Sequence, residues 1–211
     1  AEHLKEVNEL AYRNEYLGEA TGTGGAVFDN LTIRKITDDE IKTFDKIYDG
    51  LDFGYAVDPS CYVQTYFDKT RKKLYIFSEV YQVGLSNEKL WERILQKKIS
   101  KATITADSAE PKSIDRLNSL GKMYVKGAKK GPDSVEYGIR WLQDLEEIII
   151  DNTRCPNSAR EFTLYEYERD KYGEFKSKYP DINNHSIDAT RYAIEELTKS
   201  NTMTFGYRNI I

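Results

Sequence analysis

Ile47-Tyr48-Asp49-Gly50-Leu51-Asp52-Phe53-Gly54-Tyr55 opens a series of three runs rich in aromatic and β-branched residues, continued by residues 60–67 and 73–80. Val57-Asp58-Pro59 and residues 68–72 separate them, and both are short and turn-like. Connections of that length predict an antiparallel meander of three strands. The rhythm then changes. Ser86-Asn87-Glu88-Lys89 starts a helix, with Ser86 as N-cap and Leu90, Trp91, Ile94 and Leu95 as its apolar stripe. Residues 102–106 read as a strand and 111–120 as a helix, with Pro111 in its first turn and Gly121 just past its end. A short strand at 123–125, a helix at 133–145 and a strand at 148–150 follow. Strands alternating with helices predict parallel pairing through right-handed crossovers. The expected fold class is α/β: a mixed central sheet of three antiparallel strands and then parallel ones, flanked by helices. Residues 163–167 and 173–178 flank Arg169-Asp170-Lys171-Tyr172 and suggest an additional β-hairpin. Residues 186–199 read as a last helix, with Ile187, Tyr192, Ala193 and Ile194 facing inward.

A chain of 211 residues can form one domain. Its 31 basic and 35 acidic residues leave a net charge of −4, which excludes a simple DNA-coating protein, since such proteins are clearly basic. A nucleic-acid enzyme remains open, provided its basic residues are concentrated and its acids hold cations. Sixteen Tyr and eight Phe supply core material that excludes disorder for most of the chain. No apolar run approaches the roughly 18–20 residues of a membrane span, and no signal peptide opens the chain. Cys61 and Cys155 stand in no metal or redox spacing and read as reduced thiols. Residues 2–19 are polar, with Leu4, Val7, Leu10 and Ala11 at helical spacing, and Thr21-Gly22-Thr23-Gly24-Gly25 then breaks any helix. Residues 1–45 are read as a linker, 46–200 as the compact domain and 201–211 as a tail. The opening is either a connection inside a longer protein or an ordinary N-terminal arm.

Three acids stand in unusual places. Asp52 lies within the first strand run, where Asp is depleted. Asp107 follows the fourth strand in Ala106-Asp107-Ser108-Ala109-Glu110-Pro111, at a carboxyl end where ligands collect in open α/β sheets. Asp188 falls in the first turn of the last helix, in Asn184-His185-Ser186-Ile187-Asp188-Ala189. Singly, each has a bland reading as a strand end, a cap or a dipole partner. In one sheet the first and fourth strands would be neighbours, placing Asp52 and Asp107 side by side. Carboxylates that close repel unless cations neutralise them, and hard oxygen donors select Mg²⁺ or Mn²⁺. Two such ions are a standard means of cutting a phosphodiester. His185, three residues before Asp188, is a candidate to orient water, bind metal or shuttle a proton, or simply to pack at the helix start. Glu110 reads as a first-turn dipole partner or an outer metal partner.

The order of these acids resembles the ribonuclease H-like superfamily. Within it, three stretches resemble the C-terminal nuclease domain of the large terminase subunit of tailed bacteriophages, of the type infecting Bacillus. They are Gly50-Leu51-Asp52-Phe53-Gly54-Tyr55 with Asp58-Pro59, Ala106-Asp107-Ser108-Ala109-Glu110-Pro111 with Ser113-Ile114, and the run from Asn183 through Asp188 to Ala193. Residues 12–19 also resemble the end of the terminase ATPase domain. The resemblance implies a packaging-motor subunit that cuts concatemeric viral DNA into genome-length pieces in the host cytoplasm. It implies metal ligands at Asp52, Asp107 and Asp188, with two ions of Mg²⁺ or Mn²⁺. Its implied partners are double-stranded DNA, an ATPase domain in the full-length protein, the terminase small subunit and the portal or procapsid, with no membrane. No Gly-x-x-x-x-Gly-Lys-Ser/Thr loop occurs in this sequence, so no ATP hydrolysis is expected of it.

Lys122, Lys126, Lys129 and Lys130 approach a strand-to-helix connection near the acids, and Lys126, Lys129 and Lys130 are the expected DNA contacts, with Lys129 and Lys130 at the scissile strand. Lys69, Arg71, Lys72 and Lys73 read as a solvated turn, while Lys171, Lys176 and Lys178 on the hairpin suit a DNA guide or a sheet extension. Competing readings are another ribonuclease H-like enzyme, a junction resolvase or exonuclease, separable by substrate preference. A non-catalytic portal or procapsid docking module would instead keep its role with the acids neutralised.

Overall fold

A computed structural model describes residues 24–54 and 57–202, so the expected helix over 2–19 and most of the glycine-rich joint lie outside the described residues. In chain order the elements are β1 (Leu31–Ile33), α1 (Asp38–Lys42), β2 (Ile47–Asp52), β3 (Pro59–Asp68), β4 (Lys73–Val83), α2 (Asn87–Lys97), β5 (Ile104–Ala106), α3 (Pro111–Ser119), β6 (Val125–Gly127), α4 (Ser134–Gln143), β7 (Glu147–Ile150), α5 (Pro156–Leu164), α6 (His185–Ala193) and α7 (Glu195–Thr202). The described strands make one seven-stranded sheet in the order β1-β7-β4-β3-β2-β5-β6. β2, β3 and β4 form the antiparallel meander that the short turns dictate. β5 joins β2 in parallel, β6 joins β5, β7 joins β4 and β1 joins β7, as crossover helices require.

Local chemistry sets the helix starts. Ser86 caps α2 by accepting from the Lys89 amide at 3.3 Å, and Pro111 takes the first turn of α3. Thr37 and Glu40 form a reciprocal capping box on α1. The sheet divides two apolar layers. On one face Val63, Ile76, Ile148 and Ile150 pack with Ile139 and Leu142 of α4, Phe162 of α5 and Ile187 and Ala189 of α6. On the other, Leu51, Tyr62 and Ile104 meet Leu90, Trp91 and Ile94 of α2 and Ile114 and Leu117 of α3.

Asp49 and Asp52 sit three residues apart on one strand and so face opposite sides of it. Asp49 is buried among Tyr62, Gln64, Ser100 and the Lys98 ammonium, a fully partnered structural acid. Asp52 faces α6. Gly50, on the same side as Asp52, brings strand and helix backbones together: a Cβ there would lie 1.8 Å from the Ala189 carbonyl oxygen.

Three readings of the sequence need correction. The chain between 24 and 45 is part of the domain and not a linker: β1 extends the sheet, and Val27, Phe28 and Ile36 are buried. A three-residue strand is too short for periodicity to reveal it. Residues 163–164 end α5 rather than open a hairpin strand. α5 escaped notice because two of its buried positions, Ser158 and Glu161, are polar, so no apolar stripe marks it. The hairpin is accordingly shorter, one isolated bridge from Arg169 to Phe175 with backbone hydrogen bonds from Glu168 to Lys178 and from Lys176 to Glu168, around a turn in which Asp170 accepts from the Tyr172 and Glu174 amides, while Glu166 bridges Ala26 instead. The last helical stretch is divided into α6 and α7 around Ile194, whereas Ile187, Tyr192, Ala193 and Ile194 are buried as their spacing requires.

Replacing Gly50 with Ala should lower the free energy of unfolding by at least about 2–3 kcal/mol, because backbone rather than a flexible side chain opposes the added methyl. Chemical denaturation measures it. A loss under about 0.5 kcal/mol would mean that α6 is free to shift away from the strand.

Candidate metal centre

Parallel pairing of β2 with β5 aligns Leu51 with Ala106, so the next residues, Asp52 and Asp107, fall side by side beyond the carboxyl ends of neighbouring strands. The Asp107 amide donates to the Leu51 carbonyl at 3.0 Å and holds that alignment one residue past the ladder. α6 crosses this edge from above, with His185 as its first residue and Asp188 less than one turn on. The three predicted acids and the predicted histidine thus converge from β2, β5 and α6.

Each acid has a polar partner. Asp52 is only 8% exposed, and its Oδ2 lies 3.1 Å from His185 Nδ1. His185 Nε2 lies 3.9 Å from Asp58 on the β2–β3 connection, and its ring meets Tyr81 edge-on. Asp107 accepts from the Ala109 amide at 2.8 Å and pairs with the Lys130 ammonium at 2.5 Å. Asp188 binds the Arg191 guanidinium through Oδ1 and accepts from the Asn184 amide group at 3.3 Å through Oδ2.

The charges press on one another. Burial pushes the Asp52 carboxyl from an ordinary 3.8 up to about 6; the His185 contact opposes that rise, and the charges of Asp188 and Asp107 add to it. Asp188 is raised too, mainly by burial, with Arg191 working against the shift. Hydrogen bonding to Asp52 leads the causes that raise His185, and burial resists it. Tyr192 reports on all three acids: burial first, then Asp188, Asp107 and Asp52, drive its phenol upward.

Among the described residues no three His, Cys, Asp or Glu are gathered closely enough to hold a metal ion as they stand. Lys130 and Arg191 supply positive charge to Asp107 and Asp188 in that arrangement. The donor set nonetheless fits a hard divalent cation, being three carboxylates around a partly buried edge with a net demand for positive charge.

The expected DNA-contacting lysines divide. Lys130 and Lys129 follow the carboxyl end of β6, on the edge that carries Asp107, and both are exposed. Lys130 is on Asp107, the Lys129 amide donates to Glu195, and Lys126 pairs with Glu196 at 2.8 Å. Lys122 precedes β6 and therefore sits at the opposite end of that strand. Glu110 is the N-cap residue of α3 and accepts from Ser113 at 3.3 Å, an ordinary helix-start role. Sequence reasoning missed Arg191 and Asn184 as partners of Asp188. Their spacing of three and four residues from it on one helix was the available signal.

A mixed sheet with this strand order, and with acids at the ends of its adjacent second and fifth strands and on its closing helix, defines a ribonuclease H-like nuclease fold. The chain belongs to the family described as the Terminase RNAseH like domain, which matches residues 52–196. It is 46% identical over 210 residues to the terminase large subunit of Bacillus phage SPP1, covering 98% of this chain and 50% of that protein. It is 31% identical over 147 residues to the PBSX phage terminase large subunit of Bacillus subtilis, covering 70% of this chain and 34% of that protein. The chain thus spans half or less of the length of these relatives. Among solved structures it is similar to the SPP1 large terminase nuclease domain with bound Mn, at TM-score 0.76 and 45% identity over 80% of this chain and 97% of that one. The P22 large terminase nuclease domain shares the fold at TM-score 0.63 and 22% identity, over 82% of this chain and 92% of that one.

A native Asp52 that titrates above its unfolded value keeps a proton between about pH 4 and 6 that the unfolded chain has released. Stability from this group is therefore complete below the unfolded value and is lost as pH rises through the folded one. In chelator at about pH 7, Asp52→Asn should raise the free energy of unfolding by about 1–3 kcal/mol and flatten its fall across that window. Urea titrations at several pH values check it, and an Asn variant less stable than the parent would show that Asp52 is already compensated.

Proposed function

We propose that the chain is the divalent-metal-dependent endonuclease domain of a viral DNA-packaging terminase. In this reading it cuts concatemeric double-stranded DNA into genome-length pieces by two-metal phosphodiester hydrolysis. The observation that carries the reading is the convergence of Asp52, Asp107 and Asp188 at one sheet edge, within a chain of this family. The bound manganese of the 45% identical SPP1 domain supports the choice of ion.

Asp52, Asp107 and Asp188 would hold the two Mg²⁺ or Mn²⁺ ions. Bound there, such ions supply Lewis acidity to the phosphate and lower the pKa of the attacking water. The remaining work falls to side chains of this protein. His185 holds Asp52 through Nδ1, leaving Nε2 to exchange a proton with water or substrate. Lys130 and Lys126 give up their present carboxylates for DNA phosphates, and Lys129 adds a third cation on the same edge. Phosphate contacts position a duplex without reading its sequence. Site choice and timing then belong to the ATPase domain of the full-length protein, the terminase small subunit and the portal or procapsid. The reaction takes place in the host cytoplasm. No helix among the described residues is long and apolar enough to cross a membrane.

Supercoiled plasmid incubated with this chain should be nicked and linearised with Mn²⁺ or Mg²⁺ and left intact with chelator. Mapped ends should scatter over many sites without ATP, and binding should weaken steeply with salt. One dominant cut site would place specificity in this domain. Cutting at full rate by Asp52→Asn, Asp107→Asn or Asp188→Asn would remove that residue from the site.

His185→Ala should slow cutting by roughly 10²-fold or more, the scale of a lost proton-transfer group, while the melting temperature stays nearly unchanged. A large drop in melting temperature with normal specific activity would assign His185 to packing.

A further inference from the structure

The start of α6 is not capped from within. Asn184 occupies the N-cap position, yet its side chain makes no cap hydrogen bond and is directed to Asp188 instead. The first amides of a helix have no partner inside it and must find one elsewhere. Here a carboxylate from another helix provides it. Glu161 of α5, only 3% exposed, accepts from both the Ser186 amide and the Ser186 hydroxyl at 2.6 Å through Oε2. Its Oε1 accepts from the Tyr81 hydroxyl of β4, also at 2.6 Å.

The same device recurs one element earlier. Glu79 of β4, 5% exposed, accepts from the Ser158 amide and hydroxyl at 2.9 and 2.8 Å, and from the amide and side chain of Asn157. Both residues lie in the first turn of α5, whose own N-cap, Cys155, makes no side-chain cap bond. A hydrogen-bonded relay therefore runs from β4 through Glu79 to α5, and from α5 through Glu161 to α6. Ser186 stands directly after His185 and two residues before Asp188. Whatever fixes the Ser186 amide fixes where the helix begins, and with it the reach of both site residues toward Asp52.

We infer that Glu161 is a positioning residue for the metal centre, setting the seat of α6 so that His185 and Asp188 meet Asp52. The inference rests on the reading of Asp52, Asp107 and Asp188 as the metal ligands. Partners that orient metal ligands at one remove cost roughly 10–100-fold in metal affinity or activity when removed. Glu79 offers a matched control, because it is equally buried and caps a helix in the same way but holds no part of the site directly.

The test measures Mn²⁺ affinity by calorimetry, melting temperature, and plasmid nicking at saturating Mn²⁺, for the whole chain and for Glu161→Gln, Glu79→Gln and Tyr81→Phe. Glu161→Gln should weaken Mn²⁺ binding about tenfold or more and slow nicking even at saturation. Glu79→Gln should lower the melting temperature comparably but keep Mn²⁺ affinity within about 1.5-fold, under roughly 0.3 kcal/mol. Tyr81→Phe, which deletes one donor to Glu161 and keeps the fold, should weaken Mn²⁺ by about threefold, and it decides the matter if Glu161→Gln does not fold. Equal Mn²⁺ losses in the two glutamine variants, or unchanged affinity in Glu161→Gln or Tyr81→Phe, would reduce Glu161 to a structural cap while leaving the nuclease reading intact. A parent chain that neither binds Mn²⁺ nor nicks DNA overturns that reading and the inference together.

Discussion

Gly50 and Ala189 set the distance on which the site depends. Any side chain at position 50 would run into the Ala189 carbonyl, so the strand and α6 approach as backbones rather than across a layer of side chains. Glycine in a strand interior is costly in entropy and packing, and it is expected where another backbone comes close. Asp52 lies two residues further along the same face, and Asp188 is the neighbour of Ala189 on the helix. With a larger residue at 50, the helix would ride higher and the two carboxylates would separate. A single missing side chain in β2 thus couples sheet packing to the geometry of the acids.

That approach has an electrostatic consequence. Burial at this edge raises the proton affinity of Asp52, and the neighbouring charges of Asp188 and Asp107 add to the rise. The chain answers with Lys130 on Asp107, Arg191 on Asp188 and His185 on Asp52. Each partner is a cation or can become one, and each carboxylate is matched to a different one. In the proposed function, such an edge would trade stability for affinity toward a divalent ion and then a phosphate, whose charges would complement it in turn.

Polar connections carry the same logic into the core. α5 presents Ser158 and Glu161 inward, and α6 presents Ser186 and Thr190, so the layer under the site is knitted by directed bonds as well as by apolar contact. Apolar packing is non-directional and tolerates small slips, whereas a carboxylate shared between an amide and a hydroxyl fixes position within a few tenths of an ångström. A helix carrying two site residues gains from that kind of anchoring.

Much of this architecture was legible beforehand. The meander of β2 to β4, the alternation that follows, the Ser86 cap and the Pro111 start all rest on local rules of periodicity, turn length and capping. The adjacency of Asp52 and Asp107 followed from topology alone. Where local rules fell silent, the reading failed: β1 is too short to show a period, and α5 buries polar residues that mimic an exposed face. The amino-acid sequence by itself determined the order of elements from β2 to β7, the sheet class and the identity of the acids, because neighbouring residues encode those choices. Only the tertiary structure decided that Ser186 is capped by a glutamate 25 positions away and that His185 meets an aspartate 133 positions away. Such contacts depend on how whole elements stack, and no local pattern of residues specifies that.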